Sequence, residues 1–192
     1  MNVYITGVGG QGIGMLSEIL VRAADHAGYP VKGVDTHGLA QRGGIVISHL
    51  RTGEGIHSPL IEPGAADVVI AMERTEALRA AGEYLRDGGT LLYYDTVWQP
   101  FDVRAGRMEE VTREELESYC GRRGIMVLRA CREDLEDPRT QNVVLLALAC
   151  TERLVDGVDI ENCRRAMEDL MEGRMLRENL SLFDALTAQG GP

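Results

Sequence analysis

Three short stretches near the amino terminus carry residue types whose spacing could do chemistry. Gly7-Val8-Gly9-Gly10-Gln11-Gly12 matches G-x-G-x-x-G at Gly7, Gly9 and Gly12, and it lies between an apolar β-branched segment and a helical apolar pattern. Glycines there allow a tight turn and let an anionic group approach the N–H groups and positive dipole end of a helix. Asp35 follows Gly12 by 23 residues, the spacing at which a dinucleotide-binding fold offers a carboxylate to a ribose hydroxyl. The third stretch, His37-Gly38-Leu39-Ala40-Gln41-Arg42-Gly43-Gly44, combines an imidazole, an amide and a guanidinium among small residues. That inventory suits gripping a phosphate or carboxylate, with Arg42 as the clamp, and equally suits meeting a partner subunit. The glycines also have a plainer reading as packing positions, and Asp35 as a strand-end residue that caps a turn. Twelve of the 23 glycines fall in the first 57 residues, so close backbone approach and positive φ are concentrated there.

Other chemistries are excluded or disfavoured by what the chain lacks. Of 20 basic residues only Lys32 is a lysine, so Schiff-base and Walker-type chemistry would each have to rest on it, and Pro30-Val31-Lys32-Gly33 is no phosphate-loop pattern. A formal charge of −10 without a basic tract argues against nucleic acid and anionic membrane as partners. Cys120, Cys131, Cys150 and Cys163 form no close pair in sequence, so the chain alone is expected to hold no metal and no iron–sulfur cluster. The four cysteines read instead as small buried hydrophobes. His49 and His57 have no ligand-spaced neighbour and read as structural. There is no G-x-S-x-G elbow, and the acidic runs at Glu114–Glu117 and Glu133–Asp137 read as solvated faces.

The elements that would position these residues follow from periodicity. Asn2–Thr6 reads as a strand, Ile13–Ala27 as a helix, and Val31–Thr36 as a second strand parallel to the first, a βαβ unit. Ile45–Arg51 reads as a further strand, and a long connection over Thr52–Ala66 is broken by glycine and proline. Asp67–Met72 is a near-continuous apolar run of the sort buried in a parallel sheet, Thr75–Leu85 is helical, and Gly89–Asp95 is a strand after a Gly88-Gly89 turn. A hairpin is expected around Ala105-Gly106. Thr112-Arg113-Glu114-Glu115 is a capping box opening a helix to about Arg122, and Ile125–Arg129 is a strand. The carboxyl-terminal third is helical. Asn142–Val155 is apolar almost all round, Cys163, Ala166, Met167, Leu170 and Met171 form one stripe, and a last helix spans about Met175–Leu186 before frayed ends. The expectation is one α/β domain over residues 1–192, Rossmann-like and doubly wound. Its sheet is mainly parallel, with helices on both faces. With 44% hydrophobic residues, no long apolar run and no secretory signal, a cytoplasmic setting is expected.

Several motifs taken together resemble a known family. Gly7–Ile13, Lys32-Gly33, His37–Gly44, Ser48-His49-Leu50-Arg51 and Ser58-Pro59-Leu60-Ile61 keep the order and spacing of the gamma-type subunit of 2-oxoacid:ferredoxin oxidoreductases. Within it the chain is most similar to the short beta subunit of the indolepyruvate enzymes. The resemblance implies an accessory subunit of a complex that decarboxylates a 2-oxoacid, reduces ferredoxin and leaves an acyl-CoA. It also implies that thiamine diphosphate and the iron–sulfur clusters reside on a large partner subunit, with CoA entering the assembled complex. Gly7, Gly9, Gly10, Gln11, Gly12, His37, Gln41, Arg42, Gly43 and Gly44 are the cofactor-binding or partner-facing candidates, and contacts with a second copy stay open. No catalytic residue is expected on this chain alone. The competing readings are an independent NAD-dependent oxidoreductase or dinucleotide-binding module, and a pure interaction module.

Overall fold

Side-chain alternation along the central strands sets the layers. In a computed structural model that describes residues 1–36, 44–97, 110–135 and 137–188, Val3 and Ile5 of β1 (Asn2–Val8) point to one face of a sheet and Tyr4 to the other. The same division recurs on β4 (Ala66–Ala71), where Val68 and Ile70 oppose Val69, and on β5 (Leu85–Tyr94), where Leu92 and Tyr94 oppose Leu91 and Tyr93. One face is covered by α1 (Ile13–His26), α4 (Gln141–Thr151), α5 (Ile160–Leu170) and α6 (Gly173–Ala188). The other is covered by α2 (Arg74–Glu83) and α3 (Arg113–Arg122). With both faces buried, the strands can be apolar throughout. Helix α4 is buried on every side from Gln141 to Cys150, as its unbroken apolar run requires.

The six strands lie in the order β2-β3-β1-β4-β5-β6, with β2 at Val31–Thr36, β3 at Ile45–Thr52 and β6 at Met126–Ala130. Pairing is parallel for β1·β4, β4·β5 and β5·β6 and antiparallel for β1·β3 and β2·β3. Five strands therefore run one way and only β3 runs against them. Strand β2 is parallel to β1 in direction, as the crossover helix demands, yet it is not its neighbour. The return strand β3 is inserted between them, because a short connection after β2 can only make an antiparallel hairpin.

Local signals act as expected at α3, where Thr112 accepts from the Glu115 N–H and the Glu115 carboxylate accepts from the Thr112 N–H, closing the capping box. Two expectations are corrected. Gly88-Gly89 does not turn the chain before β5. The strand begins at Leu85 and runs through the pair with a bulge opposite Ala66 and Val68. A Cβ at Gly89 would stand 2.7 Å from Leu85 Cδ1 and 3.0 Å from the Asp67 carbonyl, so the glycine serves that bulge. Cys131 is exposed, unlike the other three cysteines, because it follows the end of β6. The hairpin expected around Ala105-Gly106 and the frayed terminus lie outside the described residues. Among the described residues no helix is long and apolar enough to cross a membrane.

At the amino-terminal edge of the sheet two of the sequence motifs meet. The Ile61 N–H donates to His49 Nδ1 at 3.1 Å, and Arg51 Nη1 donates to the carbonyls of Ser58 at 2.9 Å and Leu60 at 3.5 Å. Arg51 Nε also reaches Asn2 Oδ1 at 2.9 Å. The long connection between β3 and β4 is thereby latched to β3 by side chains. The His49 ring meets Tyr4 and Tyr84 edge-on at 5.2 and 5.7 Å. Burial pushes its pKa below the usual 6.5, since charging the ring there costs hydration. A group whose folded pKa is depressed holds its stabilising contribution above its unfolded pKa and loses it as pH falls through the folded one. Urea unfolding should therefore show stability declining below pH 6.5, and His49→Gln should flatten that decline relative to the unmodified chain. Parallel pH curves for the two would show that His49 does not carry it.

Candidate functional site

The carboxyl ends of β1 and β4 form the place where successive helices leave on opposite faces, α1 on one and α2 on the other. Ligands in open α/β sheets bind in the crevice at such a point. Here the crevice is bridged by Gln11. Its Oε1 accepts from the Val8 N–H at 2.8 Å and its Nε2 donates to the Met72 carbonyl at 3.0 Å, in a site that leaves Gln11 2% exposed. The Met72 N–H donates in turn to the Thr6 carbonyl at 2.9 Å. One amide side chain thus satisfies a turn N–H and a strand-end carbonyl that would otherwise be buried without partners.

The glycines around it have separate tasks. A Cβ at Gly7 would lie 2.7 Å from Met72 Cβ and 2.8 Å from Gln11 Oε1, so Gly7 allows β1 and β4 to approach. Gly12 caps α1 in the left-handed region at φ 78°, and a Cβ there would stand 2.7 Å from Asn142 Nδ2 at the start of α4. Asn142 Nδ2 donates to the Gly12 carbonyl at 3.4 Å. Gly12 therefore packs against a helix from the end of the chain, where the spacing suggests a helix–strand contact. Gly10, at φ 105°, is exposed with open space around it, and the Gly9 N–H donates to the Gly44 carbonyl at 2.8 Å. That bond brings the end of the second glycine-rich stretch to the first turn. His37, Gln41, Arg42 and Gly43 lie outside the described residues.

Asp35 stands at the end of β2, with its Oδ2 3.8 Å from where a Gly14 Cβ would be, beside the first turn of α1. It lines an open groove of about 530 Å³ with Val21, Val31, Val34 and Leu170. The insertion of β3 sets Asp35 one strand, about 4.8 Å, further from β1 than a sheet with β1 and β2 as neighbours would.

Further along the same edge the polar groups are those that no sequence pattern signalled. Glu73, fully buried, caps α2 by accepting from the Thr75 N–H at 3.0 Å and from the Glu76 N–H. Burial raises its pKa against the opposing pull of those donors. Asp95, the residue after β5, accepts from Arg74 Nε and Nη2 at 2.8 and 2.6 Å and from Arg129 Nη1 at 2.7 Å. Burial alone would raise the Asp95 carboxyl, but the bonds from Arg129 and Arg74 hold it below its usual value. Asn142 closes the site from α4 through its bond to Gly12, and the neighbouring Gln141 has its Oε1 buried without a hydrogen bond among the described residues. The signals that could have found these residues are positional only, each being the first polar residue after an apolar strand or before an apolar helix.

A family model described as pyruvate ferredoxin/flavodoxin oxidoreductase matches residues 2–188. The chain belongs to that family. It is 31% identical over 188 residues to "Indolepyruvate oxidoreductase subunit IorB" of Pyrococcus horikoshii, covering 95% of this chain and 92% of that protein. It is 52% identical over 81 residues to the subunit of the same name from Archaeoglobus fulgidus, covering 42% and 40% of the two chains. Among solved structures it resembles a keto/oxoacid ferredoxin oxidoreductase gamma subunit from Geobacter sulfurreducens, with a TM-score of 0.64, 17% identity and coverage of 98% and 97%. It also resembles part of a 2-oxoglutarate:ferredoxin oxidoreductase from Magnetococcus marinus, with a TM-score of 0.69, 18% identity, and coverage of 96% of this chain but 30% of that one. The expected mainly parallel sheet with helices on both faces is the architecture of this family member.

Removing the Gln11 bridge should be costly. Gln11→Ala leaves the Val8 N–H and Met72 carbonyl buried and unpaired, a loss of about 2–4 kcal/mol, and Gly12→Val forces a β-branched residue into the left-handed region at about 2 kcal/mol or more. Urea or thermal unfolding of the two variants checks both, and unchanged midpoints would contradict the geometry described.

Proposed function

We propose that this chain is the accessory subunit of a thiamine-diphosphate-dependent 2-oxoacid:ferredoxin oxidoreductase acting on aryl pyruvates such as indolepyruvate. The observation that carries the reading is the nearly end-to-end match to an indolepyruvate oxidoreductase subunit. In the assembled complex the 2-oxoacid loses CO₂, two electrons pass to ferredoxin, and the acyl group is taken up by CoA. Bound thiamine diphosphate supplies the carbanion chemistry of decarboxylation, and the iron–sulfur clusters supply the electron route. The donor set of this chain does not fit a four-thiolate cluster, since Cys150 and Cys163 lie on one face of the sheet, Cys120 lies on the other and Cys131 is exposed after β6. By the family resemblance, thiamine diphosphate and the clusters are proposed to reside on a large partner subunit, through which ferredoxin would meet the complex.

On this reading the chain contributes a rigid edge. Gln11 fixes the first turn, the Gly9–Gly44 bond ties the second glycine-rich stretch to it, and exposed Gly10 lets a partner backbone or a bound cofactor approach closely. His37, Gln41, Arg42, Gly43 and Gly44 are proposed to face the partner or the cofactor it carries, with Arg42 as the anion contact.

The alternative, an independent NAD enzyme, draws support from Asp35 beside the first turn of α1. Against it stand the Val8 N–H already committed to Gln11 and the strand inserted between β1 and β2.

The decisive experiment compares the lone chain with the complex reconstituted with the large subunit. The lone chain should show no turnover and no calorimetric NAD binding, and CoA-dependent dye reduction with indolepyruvate should appear only on reconstitution. Arg42→Ala should lower that activity about 10- to 150-fold, the worth of a charge-assisted hydrogen bond, while leaving the melting curve of the lone chain in place. Micromolar NAD affinity of the lone chain, abolished by Asp35→Ala, would overturn the assignment.

A further inference from the structure

Two thiols that the proposed function leaves unused lie against each other in the helical layer. Cys150 sits near the end of α4 and Cys163 in the first turns of α5, and their Sγ atoms are 3.0 Å apart. Both are free and buried, at 3% and 0% exposure, in the core between α4 and α5. Thirteen positions separate them in sequence, so no C-x-x-C pattern announces the contact. The pairing arises only because the chain reverses between two packed helices.

We propose that Cys150 and Cys163 form a reversible dithiol–disulfide site closed by hydroperoxides. One sulfur, as thiolate, attacks the terminal peroxide oxygen. The O–O bond breaks, the departing oxygen takes a proton, and a sulfenic acid forms. The second sulfur then attacks the first, the S–O bond breaks, and its hydroxide leaves as water with the remaining thiol proton. Two thiols and one hydroperoxide thus give one disulfide, water and the alcohol, or a second water from hydrogen peroxide itself, so that two electrons pass from sulfur to peroxide.

The surroundings set how the site responds. The Cys163 thiol is pushed up by its bond with Cys150 and by burial. On the proposal, peroxide reaches the sulfurs by local opening of the connection 152–159, where Glu152, Arg153, Asp156 and Asp159 are exposed and Arg153 holds a positive φ of 52°. Once one sulfur is oxidised, the other is already in contact, and ring closure outruns further oxidation.

The test uses the full chain carrying Cys131→Ser, which removes the exposed thiol and with it disulfides between molecules. Native protein is exposed to hydrogen peroxide, quenched with catalase, denatured and titrated for thiols. The expected result is a fall from three thiols to one, restored to three by dithiothreitol. Tryptic peptides 140–153 and 154–164 should be recovered joined, two hydrogens lighter than their sum. The oxidised protein should melt on the order of 5 °C higher, since the bond closes a short loop in the unfolded chain. Adding Cys163→Ala should abolish the thiol loss, with Cys163→Ser as a second variant and a melting curve of each taken first, so that peroxide is applied only where the chain is folded. Retention of three thiols, a crosslink that contains Cys120, or oxidation to sulfinic acid without a crosslink would each overturn the proposal.

Discussion

The architecture depends on a single amide placed where two parallel strands end. A side-chain amide presents an NH₂ donor and a carbonyl acceptor on separate atoms, and glutamine has the reach to span from the end of β1 to the end of β4. With Gln11 in place, Gly7 can lie against Met72, α1 can start at Gly12, and α4 can bring Asn142 up to the Gly12 carbonyl. Each later contact presupposes the one before. In a nucleotide-binding turn of the same outline the backbone N–H groups face a pyrophosphate. Here the Val8 N–H is satisfied by the protein itself.

The preference for arginine over lysine has a structural use of the same kind. Arg123 donates to the Leu85 carbonyl at 2.7 Å and to Asp87 Oδ1 at 2.6 Å, with a further bond to the Ala81 carbonyl, so one guanidinium joins the end of α2, the start of β5 and the end of α3. Arg74 and Arg51 join three groups each in like manner. A lysine ammonium is a point charge without the planar fork, and it could hold such junctions only loosely. In this acidic chain, Arg51, Arg74 and Arg123 act as connectors between elements.

Much of the layer plan is legible in the order of the amino acids, because periodicity reports burial. The run Val143–Cys150, apolar on every side, marks a buried element, and the near-continuous apolar run Asp67–Met72 marks a strand covered on both faces. The capping box at Thr112 and Glu115 is readable because both partners are local. What escapes such reading are relations between distant residues. The order of β2 and β3 depends on which edge the return strand finds. The contact of Cys150 with Cys163 depends on how two helices pack, and the burial of Glu73 on a cap that no apolar pattern marks. At the candidate site the glycine fingerprint locates the turn correctly. It does not distinguish a turn open to phosphate from one filled by its own Gln11, since both need the same glycines.

The inserted strand β3 couples the two ends of the sheet mechanically. Its beginning follows Gly44, which is bonded to the first turn, and its end carries His49 and Arg51, which latch the long connection at the opposite edge. Because it pairs on both sides, with Ile5 opposite Ser48 and Val34 opposite His49, neither neighbour can slide without the other. A slip of one residue would turn Leu50 out of the α1 face and His49 into it, undoing the latch and displacing the glycine-rich edge in the same step. The chain therefore has no soft register in which one edge is native and the other is not. Gly44 at the carboxyl edge and His49 in the tyrosine–histidine cluster thus stand five residues apart, the first just before and the second within a single strand that is paired on both sides.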